Sequence, residues 1–293
     1  MSINSECWTI QTLLKWTTAY FQTHQIDTPR LDAELLLAHL LDIQRIDLYL
    51  RFDQPLSSQE LKDYKALIIR RINREPIAYI IGHREFWSKK IRVTPNVLIP
   101  RPETECLIES ISPLLNDEQS LRVLEIGVGS GAIIIAMASD YPHHFYYGTD
   151  CSQEAISIAS KNITNHVKSS THVILNHGNY WEPFINPSPF DIIVSNPPYI
   201  PTSEIDLLQP EIKNYEPKVA LDGGCDGLTI IRHIINHANN FLKSKGYLVL
   251  EIGADQKKAV TDIAISTGFY DSIICHPDYA GLDRVIICQK GLN

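Results

Sequence analysis

From about residue 105 onwards, short apolar runs alternate with longer segments whose apolar residues recur at helical spacing. The first run, Leu121 to Ile126, is followed by a helical pattern from Ala132 to Ser139 and then by a second run from Phe145 to Thr149. Runs this short are typical of strands, whereas longer periodic segments are typical of helices. Repeated strand–helix units need crossover connections, which favour a mostly parallel sheet covered by helices on both faces. The sequence therefore predicts an α/β fold for most of the chain.

The alternation continues almost to the end of the sequence. The further predicted strands are 173–175, 191–195 and 247–252, and the further predicted helices are 152–162, 228–242 and 255–266. Two last runs, 272–275 and 284–288, have no helix between them and are predicted to pair antiparallel. In sheets of this kind, ligands bind beyond the carboxyl ends of the strands. Functional residues are therefore expected in the loops that follow the strands.

The first 84 residues carry helical patterns only and are interpreted as a separate helical domain. One helix is predicted over residues 9–24, a second from Pro29 with Thr28 as its cap, and a third after Ser57. The third ends before Pro76, because proline disfavours a helical residue before it. Such a bundle is suited to packing against or recruiting a partner. Residues 85–100 are predicted to be a linker or hairpin, and residues 101–293 to form the α/β domain.

Composition excludes several classes of protein. The chain has 293 residues, of which 44% are hydrophobic, so disordered and collagen-like chains are excluded. No apolar run approaches the ~20 residues of a membrane-spanning helix, and the first seven residues lack the regions of a secretory signal. The six cysteines, at positions 7, 106, 151, 225, 275 and 288, contain no CxxC pair. They are interpreted as reduced thiols of a cytoplasmic protein.

Charge is distributed unevenly along the chain. Residues 1–84 are neutral, with ten Lys and Arg against ten Asp and Glu, whereas residues 85–293 carry 16 against 24 and so the whole net charge of −8. A protein that grips a nucleic-acid backbone needs a basic surface. No direct nucleic-acid binding is therefore expected, although a local basic patch is compatible with this average.

A glycine-rich turn follows the first predicted strand. Glycines at alternate positions let the backbone approach a ligand without Cβ clashes, and the next helix presents free N–H groups. The G-x-G-x-G spacing after Glu125 differs from the G-x-G-x-x-G of dinucleotide sites. It favours a ligand with carboxylate and ammonium groups, such as S-adenosylmethionine. Asp150, which ends the second strand, is placed to accept hydrogen bonds from ribose hydroxyls. The glycine loop alone is weak evidence, because a tight strand–helix turn can have the same pattern. The predicted binding residues are Gly127, Val128, Gly129, Ser130, Gly131 and Asp150.

The tetrapeptide Asn196-Pro197-Pro198-Tyr199 follows the strand that ends at Ser195. A proline-punctuated turn is the simpler explanation, but this turn lies at the ligand edge of the sheet. An amide or aromatic-amine nitrogen is a weak nucleophile, and acceptors for its hydrogens can hold it in line with a methyl carbon. Asn196 offers a side-chain carbonyl, Pro197 a main-chain carbonyl and Tyr199 a flat face for a planar group. Because a sulfonium provides a good leaving group, no metal is required, and catalysis is expected from alignment and preorganised dipoles.

With these motifs the chain resembles the release factor glutamine methyltransferases, the HemK/PrmC family, over nearly its whole length. Many amino-methyltransferases share the tetrapeptide, so it does not name the substrate. The segment Ile99-Pro100-Arg101-Pro102-Glu103-Thr104-Glu105 and the helical front end are much more specific. Besides the glycine loop and the tetrapeptide, the resemblance lies in residues 29–37, 74–82, 85–87, 98–105, 216–217, 220–224 and 226–228.

The resemblance implies a fold, an activity and roles for residues. The fold is a class I, seven-stranded, Rossmann-like methyltransferase domain behind a helical substrate-recognition domain. The activity is transfer of a methyl group from S-adenosylmethionine to the N5 amide of the glutamine in the Gly-Gly-Gln motif of peptide chain release factors. Trp181 would lie along the cofactor, Asn196 would touch cofactor and substrate, and Phe86 would close over the glutamine. The residues that would bind the glutamine are Asn196, Pro197, Pro198 and Tyr199. Asn179 departs from the family pattern, in which Asp often adjoins the tryptophan, and is assigned no adenine contact.

Two alternative substrates remain open. A glutamine of a ribosomal protein would need the same chemistry and is disfavoured only by the helical front end. An adenine-N6 nucleic-acid methyltransferase would need a basic groove and would flip a base, which the acidic catalytic half disfavours. His233 and His237 have the spacing of metal ligands, but no third ligand is evident, so no metal site is predicted. Arg101 and Glu103 either contact the release factor or order a turn. The sequence does not indicate the oligomeric state.

Overall fold

The computed structural model describes residues 8–116, 119–184 and 188–292, and the chain divides into two compact units. The first unit comprises Met1–His83 and Pro210–Tyr215, and the second comprises Arg84–Gln209 and Glu216–Asn293. This division differs from the predicted domains, because the segment 85–100 belongs to the second unit and residues 210–215 belong to the first. The expectations for Cys7 and for a missing secretory signal concern residues outside those described.

The first unit is helical. Its helices before residue 83 are α1 (Ile10–Thr23), α2 (Pro29–Leu41), α3 (Arg45–Leu50), α4 (Ser58–Ile72) and α5 (Ile77–Ile81). Helices α1, α2 and α4 confirm the sequence predictions. Helices α3 and α5 have six and five residues, which is too short for a periodic pattern to reveal. Their common apolar core includes Leu14, Phe21, Leu36 and Leu37, which have no exposed surface.

The amino termini of α2 and α4 are stabilised in different ways. Ser57 Oγ accepts a hydrogen bond from the Glu60 amide across 3.2 Å, which satisfies a backbone group that lacks a helical partner. Thr28 precedes α2 as predicted, but its role as a cap is a wrong prediction. Its hydroxyl donates to Asp32 Oδ1 across 2.8 Å and accepts from no helical amide. Pro29, at the first helical position, already lacks one of the N–H groups that a cap would satisfy.

The second unit contains a hairpin, a large sheet and helices that cover it. The hairpin strands are β1 (His83–Phe86) and β2 (Lys89–Arg92), as predicted. The sheet strands are β3 (Arg122–Ile126), β4 (Phe145–Asp150), β5 (His172–His177), β6 (Phe190–Ser195), β7 (Leu242–Glu251), β8 (Tyr270–Pro277) and β9 (Asp283–Lys290). The helices are α6 (Glu105–Leu115), α7 (Ala132–Asp140), α8 (Gln153–His166), α10 (Thr229–Ala238) and α11 (Lys257–Thr267), while α9 (Pro210–Tyr215) belongs to the first unit.

The strand order of the large sheet is β5-β4-β3-β6-β7-β9-β8. The first five strands in that order are parallel, and β9 pairs antiparallel with both β7 and β8. This confirms the predicted parallel sheet with two antiparallel strands at its end. The chain runs outwards from β3 to β5 and then crosses to β6, so β3 and β6 are neighbours, with Ile126 opposite Ser195. Their adjacent carboxyl ends form the switch point at which ligands bind in such sheets.

The prediction of a helix over residues 228–242 is wrong at its carboxyl end. Helix α10 ends at Ala238, and Leu242 is the first residue of β7. The Phe190 amide donates to the Phe241 carbonyl oxygen across 2.7 Å, so the chain already pairs with β6 at this point. A short apolar run fits a helix or a strand equally well, and sheet pairing decides between them.

Ionic contacts place α9 in the helical unit. Glu211 Oε1 accepts from Arg71 Nη1 across 3.0 Å and from Arg74 Nη1 across 3.1 Å. Arg71 Nε also donates to Asp32 Oδ2 across 2.6 Å, and these two side chains are 7% and 2% exposed. Because removal of one member of a buried ion pair leaves an uncompensated charge, these groups depend on one another. Glu211 is therefore part of the ion network of the first unit.

Candidate active site

The loop between β3 and α7 turns sharply. Gly127, Gly129 and Gly131 have φ angles of +75°, +53° and +80°, which residues with a Cβ adopt only under strain. The Gly127 amide donates to the Thr149 carbonyl oxygen across 2.8 Å, which ties the loop to the end of β4. A Cβ on Gly131 would lie 3.2 Å from the Cβ of Ala159 in α8. The third glycine therefore lets the start of α7 approach α8.

Asp150, at the end of β4, is held by two backbone amides. Its Oδ2 accepts from Gly129 across 2.8 Å, and its Oδ1 accepts from Ser152 across 2.9 Å. Burial raises the pKa of Asp150, and the two amides oppose that rise. A carboxylate oxygen has two lone pairs, so each oxygen can accept a further hydrogen bond. The carboxylate is fixed beside the glycine loop with acceptor capacity to spare.

Glu125, in β3, is an acid without a full set of partners. Its side chain is 1% exposed, and no hydrogen-bond partner of Oε2 exists among the described residues. Burial raises the pKa of Glu125 well above its ordinary value, and the nearby Asp150 adds to the rise. An unpaired buried polar atom costs free energy. A cationic group placed beside Glu125 would remove that cost.

A cavity of about 550 Å³ lies at this edge of the sheet. That volume is in the range of pockets for small organic ligands. The predicted site residues that line it are Gly127, Val128, Gly129, Ser130, Asp150, Asn196, Pro197 and Pro198. Other lining residues include Thr104, Glu125, Asn179 and Tyr180. The structure therefore brings residues 127–130 of the glycine loop, Asp150 and most of the tetrapeptide to one cavity, whereas the predicted binding residue Gly131 is not among its lining residues.

The side-chain amide of Asn196 has a defined orientation. Its Nδ2 donates to Thr104 Oγ1 across 3.1 Å, whereas its Oδ1 accepts from no donor in the part of the chain that the structure describes. The Thr104 side chain is buried, at 4% exposure. Nearby, Ser195 Oγ donates to the Ile126 carbonyl oxygen across 2.7 Å, which fastens the end of β6 to β3. The carbonyl oxygen is the acceptor that Asn196 leaves to a ligand of the cavity.

Tyr199, whose ring is predicted to lie against the substrate, is not among the residues that line the cavity. Its hydroxyl donates to Glu251 Oε1 across 3.4 Å, and its carbonyl oxygen accepts from Gln256 Nε2 across 2.9 Å. Burial raises the pKa of Tyr199 to about 12 and that of Glu251 to about 7. Because both ends of this residue are bound to the protein, Tyr199 anchors the end of the tetrapeptide.

Two further predicted residues lie in the core, where they do not line the cavity. Phe86, at the end of β1, is 1% exposed and packs in an apolar cluster that includes residues of α6 and α7. The Trp181 ring is stacked on Phe241, with the ring centroids 4.6 Å apart. Neighbouring side chains in this irregular segment point in different directions, so Asn179 and Tyr180 reach the cavity and Trp181 does not.

Sequence reasoning misses Thr104 and Glu251. Thr104 lies 92 positions from Asn196 in the chain. The sequence feature that could have pointed to Thr104 as a site residue is its place in the proline-rich segment that carries part of the family resemblance. Arg101, in the same segment, donates to Glu216 Oε1 across 2.6 Å. Glu216 Oε2 also accepts from the Ile99 amide across 3.1 Å. These bonds order the segment, as one of the two alternatives for Arg101 expects.

His233 and His237 contact each other on α10. The His233 and His237 rings are stacked, with centroids 4.3 Å apart. Across residues 8–116, 119–184 and 188–292, no group of three or more His, Cys, Asp and Glu side chains is arranged to hold a metal ion. Over the same ranges, no helix combines the length and the apolar character that a bilayer crossing requires.

The strand order, the glycine loop after β3 and the tetrapeptide after β6 together define a class I methyltransferase domain. A crystal structure of a methyltransferase from Pyrococcus furiosus shares the fold, with a TM-score of 0.50 and 20% identity over 78% of this chain and 99% of that one. Residues 103–211 match the methyltransferase small domain family, and residues 12–82 match the PrmC N-terminal domain family.

Full-length relatives narrow this class to one family. The release factor glutamine methyltransferase of Geobacter sulfurreducens is 41% identical over 286 residues, which is 98% of both chains. That of Rhodopirellula baltica is 39% identical over 291 residues, again 98% of both chains. The chain belongs to the release factor glutamine methyltransferase family and is a methyltransferase.

Proposed function

We propose that the enzyme transfers the methyl group of S-adenosylmethionine to the N5 amide of the glutamine in the Gly-Gly-Gln motif of peptide chain release factors. The observation that carries the proposal is the orientation of Asn196, which lines the cavity with its NH2 group bound to Thr104 and its carbonyl oxygen free. A carboxamide nitrogen has two hydrogens to donate and needs such acceptors. The names of the relatives from Geobacter sulfurreducens and Rhodopirellula baltica support a release factor as the substrate protein.

The residues of the cavity fit S-adenosylmethionine. A Cβ added to Gly127 or Gly129 would have no neighbour within 4 Å, so that space is open for a ligand to reach the backbone. Glu125 offers an unpaired carboxyl oxygen to an ammonium group, and Asp150 offers acceptors to ribose hydroxyls. Asn179 and Tyr180 are the wall residues that replace the expected Trp181. When bound, the cofactor supplies an electrophilic methyl carbon and a neutral thioether leaving group.

The tetrapeptide aligns the nucleophile. Asn196 Oδ1 and the Pro197 carbonyl oxygen accept the two N–H groups of the glutamine amide, which fixes the direction of its nitrogen. The rings of Pro197 and Pro198 restrict φ, so these acceptors are in place before the substrate arrives. Tyr199 anchors the following chain through Glu251. Catalysis then depends on alignment and on dipoles that need no reorganisation.

The helical unit is proposed to recognise the body of the release factor. A lone glutamine is too small to specify one protein, so the specificity must come from a larger contact. The net charge of −8 favours a protein partner over a nucleic acid. The cytoplasm, where release factors act, is the location that this proposal requires.

The test is identification of the methylated residue. The enzyme and labelled S-adenosylmethionine are incubated in three separate reactions. One contains a release factor, one a ribosomal protein and one adenine-containing oligonucleotides. A release factor whose motif glutamine is replaced by glutamate is the matched control. Mass spectrometry is expected to find the label on the motif glutamine and none on the control. Label on a ribosomal glutamine or on adenine, with the release factor unmodified, would contradict the proposal.

A further inference from the structure

Asn162, in α8, is a buried polar side chain that has no part in the proposed reaction. It is 1% exposed and is not among the residues that line the cavity. Its Nδ2 donates to the Ser130 carbonyl oxygen across 2.8 Å and to the Arg92 carbonyl oxygen across 3.0 Å. Its Oδ1 accepts from the Arg92 amide across 3.0 Å. Both hydrogens of the carboxamide have acceptors, and one side chain joins the glycine loop to the end of β2.

The bond to Ser130 holds the peptide group at the end of the glycine loop. On the other side of that peptide group, the Gly131 amide donates to the Val128 carbonyl oxygen across 2.7 Å. Both polar atoms of the peptide group are therefore held, one within the loop and one by Asn162. Because Val128 and Ser130 line the cavity, Asn162 fixes a part of the backbone that a ligand reaches.

The bonds to Arg92 fix the start of a second wall of the cavity. Arg92 is the last residue of β2, and the chain that follows it lines the cavity at residues 96–98, 100 and 101. Val93 and Val97, each 1% exposed, bury the connection in between. Because Asn162 binds both main-chain groups of Arg92, it sets where this wall begins relative to the glycine loop.

We propose that Asn162 is a positioning residue for the cofactor, which holds the glycine loop against the chain that follows β2. Both walls are then ordered before the ligand binds. A loop that is ordered in the free enzyme loses less conformational freedom on binding, and this raises affinity. Asn162 acts only through the main chain of Ser130 and Arg92. The inference rests on the proposed function for the identity of the ligand.

His166 provides a matched control on the same helix. It lies one turn after Asn162, and its Nε2 donates to the Lys90 carbonyl oxygen of β2 across 2.9 Å. Within the ranges that the structure describes, the His166 side chain has no hydrogen bond to the glycine loop. His166→Ala therefore removes a contact between α8 and β2 but leaves the bond from Asn162 to Ser130 in place.

The first experiment measures the affinity of full-length Asn162→Ala, Asn162→Asp and His166→Ala for S-adenosylmethionine by calorimetry. Ala removes the carboxamide, whereas an ionised Asp keeps its shape but has no hydrogen to donate. Both Asn162 variants should bind about three- to tenfold more weakly than wild type, the scale of one hydrogen bond. The KM for the cofactor should rise with this loss, and kcat at saturating cofactor should stay near the wild-type value.

His166→Ala separates this role from a general loss of stability. It should keep the wild-type affinity and KM for S-adenosylmethionine, even if its melting temperature falls. Wild-type affinity in a folded Asn162 variant would overturn the inference. An equal loss of affinity in His166→Ala would also overturn it, because the loss would then not depend on the bond to Ser130.

The second experiment follows backbone hydrogen exchange by mass spectrometry. In the ligand-free enzyme, residues 127–131 should exchange faster in the Asn162 variants than in wild type or His166→Ala. In the wild-type enzyme, S-adenosylmethionine should slow exchange at residues 89–92, which do not line the cavity, because coupling between two sites is reciprocal. This measurement needs no variant, so it tests the link even where a substitution prevents folding.

The exchange rates also separate the inference from the proposed function. Unchanged exchange at residues 89–92 in wild-type enzyme that binds the cofactor would overturn the inference, as would a wild-type rate at residues 127–131 in Asn162→Ala. Wild-type enzyme that does not bind S-adenosylmethionine would overturn the proposed function instead. The comparison of the ligand-free proteins would still report the link from Asn162 to the loop.

Discussion

Asn196 donates its side-chain N–H to the Thr104 hydroxyl across 3.1 Å, although the two residues lie 92 positions apart in the chain. The contact joins the loop after β6 to the turn before α6. It decides which atom of Asn196 is left to accept a hydrogen bond from a ligand. A residue outside the recognised catalytic motif therefore determines the chemistry that the motif offers.

Asp150→Ala should mainly weaken cofactor binding. The change removes the acceptors proposed for the ribose hydroxyls. It also removes the hydrogen bond that the Gly129 amide donates to Asp150 Oδ2 across 2.8 Å. Loss of hydrogen bonds to a charged group corresponds to about 10- to 100-fold in affinity. Calorimetric titration with S-adenosylmethionine measures the change. Asp262→Ala, whose side chain is 60% exposed in α11, is the matched control. Equal affinities of Asp150→Ala and wild type would refute the assignment.

Cofactor binding should release a proton from Glu125. Burial raises the pKa of this carboxyl well above its ordinary value, and an ammonium group beside it would favour the charged form. Affinity should therefore rise with pH over the range in which Glu125 ionises. Calorimetry in buffers of different ionisation enthalpy counts the protons released. Glu125→Gln should bind about tenfold more weakly or worse, with no release from this site. Buffer-independent heats in the wild-type protein would argue against a contact between Glu125 and the ammonium group.

Because of the buried Glu251, the stability of the folded protein should fall as the pH rises. Folding raises the pKa of Glu251 from 4.5 to about 7, so in this interval the unfolded chain binds fewer protons than the native protein. The free energy of unfolding therefore falls from the lower pKa to the higher, by about 3 kcal/mol at most, and is level above it. Denaturant unfolding of Glu251→Gln, compared with wild type at about pH 5 and pH 8, checks this. The free energy of unfolding of the variant, relative to that of the wild type, should be larger at the higher pH than at the lower pH. The same difference at both pH values would contradict an ionisable, buried Glu251.

Removal of the helical unit should impair methylation of an intact release factor more than methylation of a short Gly-Gly-Gln peptide. The shortened chain, which lacks residues 1–82, also needs Glu211→Gln, because it loses Arg71 and Arg74 as partners of Glu211. The ratio of kcat/KM for the two substrates measures recognition apart from chemistry. A full-length Glu211→Gln enzyme is the control. If the shortened enzyme methylates the intact factor as well as the full-length control does, the helical unit has no recognition role.

Local patterns were enough to predict much of the sheet and the cavity. The strand ends at Ile126 and Ser195 and the glycine loop depend on residues close together in the chain, so periodicity and spacing reveal them. The hydrogen bond from Asn196 to Thr104 and the stacking of Trp181 on Phe241 join distant segments. No local pattern encodes such contacts.

Neither Trp181 nor Tyr199 lines the cavity, and their placements share one physical cause. Family motifs give the order of residues, whereas the direction of each side chain depends on packing. Trp181 gains a stacked neighbour in the core, and Tyr199 gains a buried hydrogen-bond acceptor in Glu251. Burial of an aromatic ring is favourable enough to decide such directions.

The most direct test of the account is the single-turnover rate of methyl transfer by Asn196→Ala. Loss of one preorganised hydrogen-bonding group should lower the rate by about 10²–10³. Affinity for S-adenosylmethionine, measured by calorimetry on the same preparation, should change much less. A variant that transfers methyl groups at the wild-type rate would show that the carboxamide of Asn196 does not hold the substrate nitrogen.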